Sequence, residues 1–159
     1  MRSEIAREVK KVLTKEEIRK AALEAKHKKG LKWEQIGKEI GRNAVGAATI
    51  VYGYGAAKED EADKLVRLLD LPAGAKEGLV AAPYRVPAQP WPPTDPFVYR
   101  FYEAVMLYGP VWKDVCHEIF GDGIISAIDC WFDIKKVEEA GIARAEFTFN
   151  GKWLVYRKF

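Results

Sequence analysis

Arg100 and Glu103 are the only charged residues in the run Phe97–Tyr108, FVYRFYEAVMLY, where every other side chain is aliphatic, aromatic or alanine. On a helix a spacing of three sets the two side chains about 60° apart around the axis and one turn along, so they share a face. Two readings of that pair stand. One is an i,i+3 ion pair on the single wet stripe of the helix, worth about a few tenths of a kcal/mol. The other is chemical: a partly desolvated guanidinium offers a fork to a small planar anion, and the carboxylate orients it or steers protons. Burial of the surrounding helix favours the second, because an uncompensated arginine there is costly without an anion to satisfy it. A third feature is Gly121-Asp122-Gly123-Ile124-Ile125-Ser126. Paired glycines can turn successive N–H groups toward an anion, and Ser126 adds a hydroxyl, although a DG turn before a strand is more often only a turn.

Other chemistries find less support. Cys116-His117-Glu118 has ligand-type residues, but consecutive positions on a helix point in different directions and HExxH is absent, so no metal site is expected. Ser126 lacks the GxSxG setting of an activated nucleophile, and neither histidine lies near it in sequence to build a triad. No phosphate-binding GxGxxG or GxxxxGK[ST] occurs.

The elements that must carry these residues fall into two halves. Six of the eight prolines lie in Ala81–Pro96, a strap that fixes φ, removes N–H donors and interrupts any helix or central strand. A domain boundary is expected at about residue 85, giving a helical bundle over 1–84 and a second domain over 85–159, with Tyr84, Val86 and Trp91 laying the strap against protein. In the first half, Thr14 and Glu17 form a capping box ahead of a helix that should stop at Gly30. Helices over 33–40, 44 to about 52 with Asn43 as N-cap, and 61–69 follow, in a bundle of about five.

In the second half, Asp95-Pro96 should open a helix that ends at Gly109, with Pro110 starting another over 111–120. The run 124–134 favours strand, and Asn150-Gly151 between two aromatic-rich runs signals a hairpin turn, for about three strands in all. The expected class is therefore α+β. The apolar helix over 97–108 needs cover on most sides, more than so small a domain can supply, which points to an obligate homo-oligomer with Arg100 and Glu103 in or beside the interface.

Composition narrows the functions further. With 48% hydrophobic residues the chain is a folded protein, and 26 basic against 23 acidic residues give a charge of only +3, short of the footprint of a nucleic-acid-binding domain. No apolar run approaches the ~20 residues needed to span a bilayer, and MRSEIAREVKKVL does not read as a signal peptide, so no membrane association and a cytoplasmic location are expected. Cys116 and Cys130 have neither CxxC spacing nor disulfide density and read as reduced thiols. The segment from Trp33 to Tyr54 has the layout of a helix-turn-helix, which keeps a DNA-binding regulator with a C-terminal oligomerisation domain as the alternative. Its second helix, however, carries no Lys or Arg and one amide side chain, Asn43, and prefers protein to a major groove. The cluster Lys26-His27-Lys28-Lys29 reads as a helix C-terminus complementing the macrodipole.

Two stretches together carry a specific resemblance: Pro93-Thr-Asp-Pro-Phe-Val-Tyr-Arg-Phe-Tyr-Glu103 and His117-Glu-Ile-Phe-Gly-Asp-Gly-Ile-Ile-Ser-Ala-Ile128. They closely resemble the C-terminal domain of cyanase, also called cyanate hydratase or cyanate lyase, and the resemblance extends over almost the whole chain. It implies an N-terminal bundle that looks like a DNA-binding domain without serving as one, and a small C-terminal α+β catalytic and dimerisation domain. It further implies a decamer of five dimers with active sites where dimers meet, and Arg100, Glu103 and Ser126 as catalytic residues. Cyanate and bicarbonate would be the substrates, with no metal or organic cofactor, and the activity would release nitrogen and detoxify cyanate. The segment 137–145, VEEAGIARA, departs from the Asp-Pro-x-Gly turn associated with many members, so a different loop shape is expected there.

Overall fold

A computed structural model describes residues 11–83 and 91–157. The sequence readings that rest on the first ten residues, and on Tyr84 and Val86 in the strap, lie outside that range. The helices are α1 (Lys15–Lys28), α2 (Trp33–Ile40), α3 (Ala44–Val51), α4 (Glu59–Leu69), α5 (Ala75–Val80) and α6 (Pro96–Phe120). Strands β1 (Gly123–Glu139) and β2 (Ile142–Val155) form a two-stranded sheet, so the class is α+β. By contacts the chain divides into two compact units, Met1–Arg85 with Phe132–Thr148, and Val86–Trp131 with Phe149–Phe159.

The first unit is built from short helices with explicit ends. Thr14 Oγ1 accepts from Glu17 N at 3.2 Å while Glu17 Oε2 accepts from Thr14 N at 2.8 Å, the reciprocal arrangement expected of the capping box. That backbone N–H, with Lys11 and the Thr14 hydroxyl, holds the Glu17 carboxyl down to about 2. Asn43 caps α3, its Oδ1 accepting from Gly46 N at 2.7 Å. The apolar faces meet in one core that includes Ile18, Ile36, Leu65, Leu69 and Leu79, each no more than 1% exposed. The helix expected over 61–69 starts two residues earlier, at Glu59.

The C-terminal half of the chain departs from the sequence reading twice. Instead of two helices meeting at Gly109-Pro110, α6 runs unbroken for 25 residues, about 37 Å, with Pro110 inside it. Proline deprives one carbonyl of its N–H partner and crowds the Cβ of the residue before it. Here that residue is Gly109, which has no Cβ, so the helical conformation before the proline is tolerated.

The sheet has two long strands, not three shorter ones. The chain reverses at Ala140-Gly141, where φ is 51° and 77°, the pair of positive values a two-residue hairpin turn demands. This tight turn is also the loop shape adopted by the divergent 137–145 segment. Asn150-Gly151, expected as a turn, lies inside β2 because Gly151 serves close approach instead of reversal: a β-carbon there would collide with the Ser126 carbonyl oxygen.

Candidate active site

Asp95 opens α6, its Oδ1 accepting from Val98 N at 2.9 Å with Pro96 at the first helical position. One turn on, Arg100 Nη1 donates to Glu103 Oε2 at 2.7 Å. The Arg100 side chain is 75% exposed and that of Glu103 42%. The remaining guanidinium N–H groups make no hydrogen bond among the described residues, so one edge of a planar, five-donor cation faces outward. It borders an open hollow of about 450 Å³ lined by Pro92, Pro93, Thr94, Pro96, Tyr99 and Arg100 itself. Trp91, at the start of this segment, packs edge-on to Tyr102 with ring centroids 4.6 Å apart.

Ser126 stands on β1 and is 9% exposed. Its Oγ accepts from Ile128 N at 3.2 Å and Asp129 N at 2.9 Å. Those two N–H groups turn back onto the serine oxygen from two and three residues further along the chain. β1 has 17 residues against 14 in β2, and because Gly123 lies against Leu154 and Ser126 against Gly151, the residues in excess fall between Ser126 and the turn. A serine oxygen has two lone pairs and one proton. With both lone pairs engaged, the hydroxyl is poised to donate and poorly suited to attack.

The structure brings Arg100 and Glu103 together and leaves Ser126 apart. No hydrogen bond or ion pair among the described residues joins Ser126 to either. Gly123 and Ile125, just before Ser126, line a hollow of about 370 Å³ with Lys113 and His117 of α6. Lys113 lies thirteen residues from Arg100, about 20 Å along the helix.

His117 supports the glycine turn, its Nε2 3.1 Å from Gly123 O and its Nδ1 3.3 Å from Asp122 Oδ1. The sequence reading weighed His117 as a metal ligand and as a triad member, set both aside, and gave it no supporting role. Its separation from Gly123, six residues across a helix end, was the available signal. Trp153 and Gly151, likewise unremarked as site residues, back the same segment.

Among the described residues no group of three or more His, Cys, Asp or Glu is arranged to hold a metal ion, and no helix is long and apolar enough to cross a membrane. The feature that suggested DNA binding is spent within the fold. Asn43, the one amide on the supposed reading helix, uses its Oδ1 on the cap and donates from Nδ2 to Phe132 O at 2.8 Å. In the basic cluster, Lys29 donates to Leu68 O at 2.6 Å and Lys26 lies 5.0 Å over the Trp33 ring.

Comparison with known proteins gives one consistent answer. Residues 90–158 match the family described as cyanate lyase C-terminal domain. A cyanate hydratase of Sulfurisphaera tokodaii is 55% identical over 148 residues, 93% of this chain and 100% of that protein. One from Aquifex aeolicus is 48% identical over 159 residues, the full length of both. A crystal structure of cyanase from T. urticae superposes with a TM-score of 0.77 at 31% identity, covering 86% of this chain and 96% of that one. With a family match over residues 90–158 and relatives this similar over nearly their whole length, the chain belongs to the cyanate hydratase (cyanate lyase) family of lyases.

Proposed function

We propose that this protein decomposes cyanate with bicarbonate to ammonia and carbon dioxide, with Arg100, Glu103 and Ser126 as its catalytic residues. The observation that carries the reading is the outward edge of Arg100, anchored by Glu103 at 2.7 Å with its other donors unspent. Two anions repel each other in water, so a site that unites them must supply positive charge before proximity can help. A bicarbonate oxygen attacks the cyanate carbon, and the bicarbonate proton passes to nitrogen, giving a dianionic adduct. The bond from the former bicarbonate carbon to the bridging oxygen then breaks, its electrons staying on that oxygen. Carbon dioxide leaves, and one proton completes carbamate. Carbamate takes another proton and splits into ammonia and a second carbon dioxide. Arg100 holds the anionic oxygens and Ser126 donates to the adduct. Glu103 orients Arg100 and proton traffic; as a nucleophile it would only compete with bicarbonate. The chemistry calls for no metal or organic cofactor, and bicarbonate is a co-substrate.

The site is completed by assembly. Helix α6 has no buried residue, and Phe97, Val105, Met106, Leu107, Val111 and Ile119 are each more than half exposed, a surface too apolar to face water. The separation of Ser126 from Arg100 within one chain supports sites built from more than one copy. Residues 85–159 form the catalytic and oligomerisation domain, residues 1–84 a bundle that does not bind nucleic acid, and the assembly is a decamer of five dimers in the cytoplasm, serving cyanate detoxification and nitrogen release. The test is ammonia release from cyanate in degassed buffer. Turnover should require added bicarbonate and vanish in Arg100→Leu with the assembly intact; undiminished rates without bicarbonate, or in that variant, overturn the reading.

A further inference from the structure

Glycine inside a strand weakens it, so a glycine at Gly151 of β2 calls for a compensating use. A β-carbon built there would fall on the Ser126 carbonyl oxygen and lie 2.7 Å from Ile125 Cγ1 and 3.2 Å from Ile125 Cδ1. Backbone against backbone leaves no flexible end to yield. Two residues along β2, and so on the same face, Trp153 presses the same segment: a β-carbon on Gly123 would lie 2.7 Å from Trp153 Nε1. Further on, Tyr156 N donates to Asp122 O at 3.1 Å. β2 and the residue that follows it therefore touch the approach to Ser126 at three places. The Ser126 hydroxyl is itself tied down by Ile128 N and Asp129 N, so its direction follows wherever the main chain is set.

We propose that Gly151 is a positioning residue for the reaction: its missing side chain lets β2 lie against the Ser126 main chain and fixes the point from which the serine hydroxyl donates. The inference rests on the reading of Ser126 as a donor to the adduct. A side chain at 151 has to push the two strands apart locally, carrying the hydroxyl away from the reacting atoms, and a displacement of about 1 Å in a catalytic group can lower the rate about 100-fold.

The experiment compares Gly151→Ala, Ser126→Ala and the double variant as full-length assembled protein, with Gly141→Ala as control. Gly141 sits at φ 77° with open space around it, so alanine strains the hairpin turn without touching Ser126. Gly151→Ala should lower kcat by about 100-fold with KM for cyanate changed less than about threefold, while Gly141→Ala loses thermal stability but keeps kcat. If Gly151 acts through the serine, the double variant should be no slower than Ser126→Ala alone, a coupling that general destabilisation would not produce. Should Gly151→Ala fail to assemble, Ile125→Ala/Gly151→Ala, which removes the side-chain part of the collision, is measured against Ile125→Ala. A Gly151→Ala enzyme with unchanged kcat, or losses that multiply in the double variant, overturns the positioning role. Full activity in Ser126→Ala would instead sink the serine reading beneath it.

Discussion

Glu61 accepts both ends of the Arg42 fork, Nε to Oε1 at 2.7 Å and Nη2 to Oε2 at 3.2 Å, with the glutamate side chain only 5% exposed. The pair ties the turn between α2 and α3 to the first turn of α4, where Glu61 Oε2 also accepts Lys58 N at 2.9 Å. Burial works to raise the Glu61 pKa, but the Arg42 hydrogen bonds, the Lys58 N–H and the nearby positive charges outweigh it and hold the carboxyl below its ordinary value. A carboxyl depressed by folding stabilises the fold above its unfolded pKa, about 4.3, and that contribution is lost as pH falls below it. The melting temperature should therefore drop on acidification below about pH 4.3 more steeply in the parent than in Glu61→Gln.

Removing one partner should cost more than removing both. Glu61→Ala strands Arg42, whose side chain is 41% exposed and so partly rescued by water, and should lower stability by about 2 kcal/mol, less than a fully buried pair would lose. Arg42→Met/Glu61→Leu should recover most of that loss in urea denaturation, and a double variant weaker than Glu61→Ala would contradict the account.

Arg100 and lysine should not be interchangeable. Arg100→Lys keeps the charge but loses the planar fork, so activity should fall by about 100-fold, with the larger effect in kcat. Glu103→Gln leaves a neutral partner for the guanidinium and should cost about 10- to 100-fold. Steady-state ammonia release checks both; undiminished turnover in Glu103→Gln would remove that carboxylate from the site.

What the sequence made legible follows from how local each signal is. Thr14 with Glu17, Asn43 and Asp95 each act within three or four residues, and all three caps form where their spacing placed them. Pro110 misled because a helix break was read from one residue's chemistry, whereas the crowding depends on the Cβ of its neighbour, which Gly109 lacks. Gly151 misled for a different reason. Its purpose is set by Ser126, 25 residues earlier, and only pairing of the strands reveals it. The Arg100–Glu103 pair was visible in a window of four residues, but the distance between that pair and Ser126 depends on the unbroken length of α6.

The exposed face of α6 should serve assembly alone. Leu107 is 62% exposed and belongs to no core among the described residues, so Leu107→Asp should leave the melting of the helical bundle unchanged while breaking the oligomer. Light scattering should report a much smaller particle than the parent, and cyanate turnover should disappear with the large assembly. Full activity in a dissociated Leu107→Asp chain would show that one copy suffices.

Hybrid assemblies test most directly whether Arg100 and Ser126 of one site come from different copies. Arg100→Leu and Ser126→Ala are each expected to be inactive, the first for want of the anion fork and the second for want of the donor, a loss of about 100- to 1000-fold. When the two are unfolded together and reassembled, a site that draws Arg100 from one copy and Ser126 from another will, in a minority of cases, receive both native residues. Activity should then return above the level of either variant alone and depend on the mixing ratio, with a maximum near equal amounts. If both residues of a site belonged to one chain, every hybrid site would carry a defect and no ratio would restore turnover. Since the segment leading into Ser126 reaches α6 some 20 Å beyond Arg100, recovery on mixing is the outcome the geometry favours.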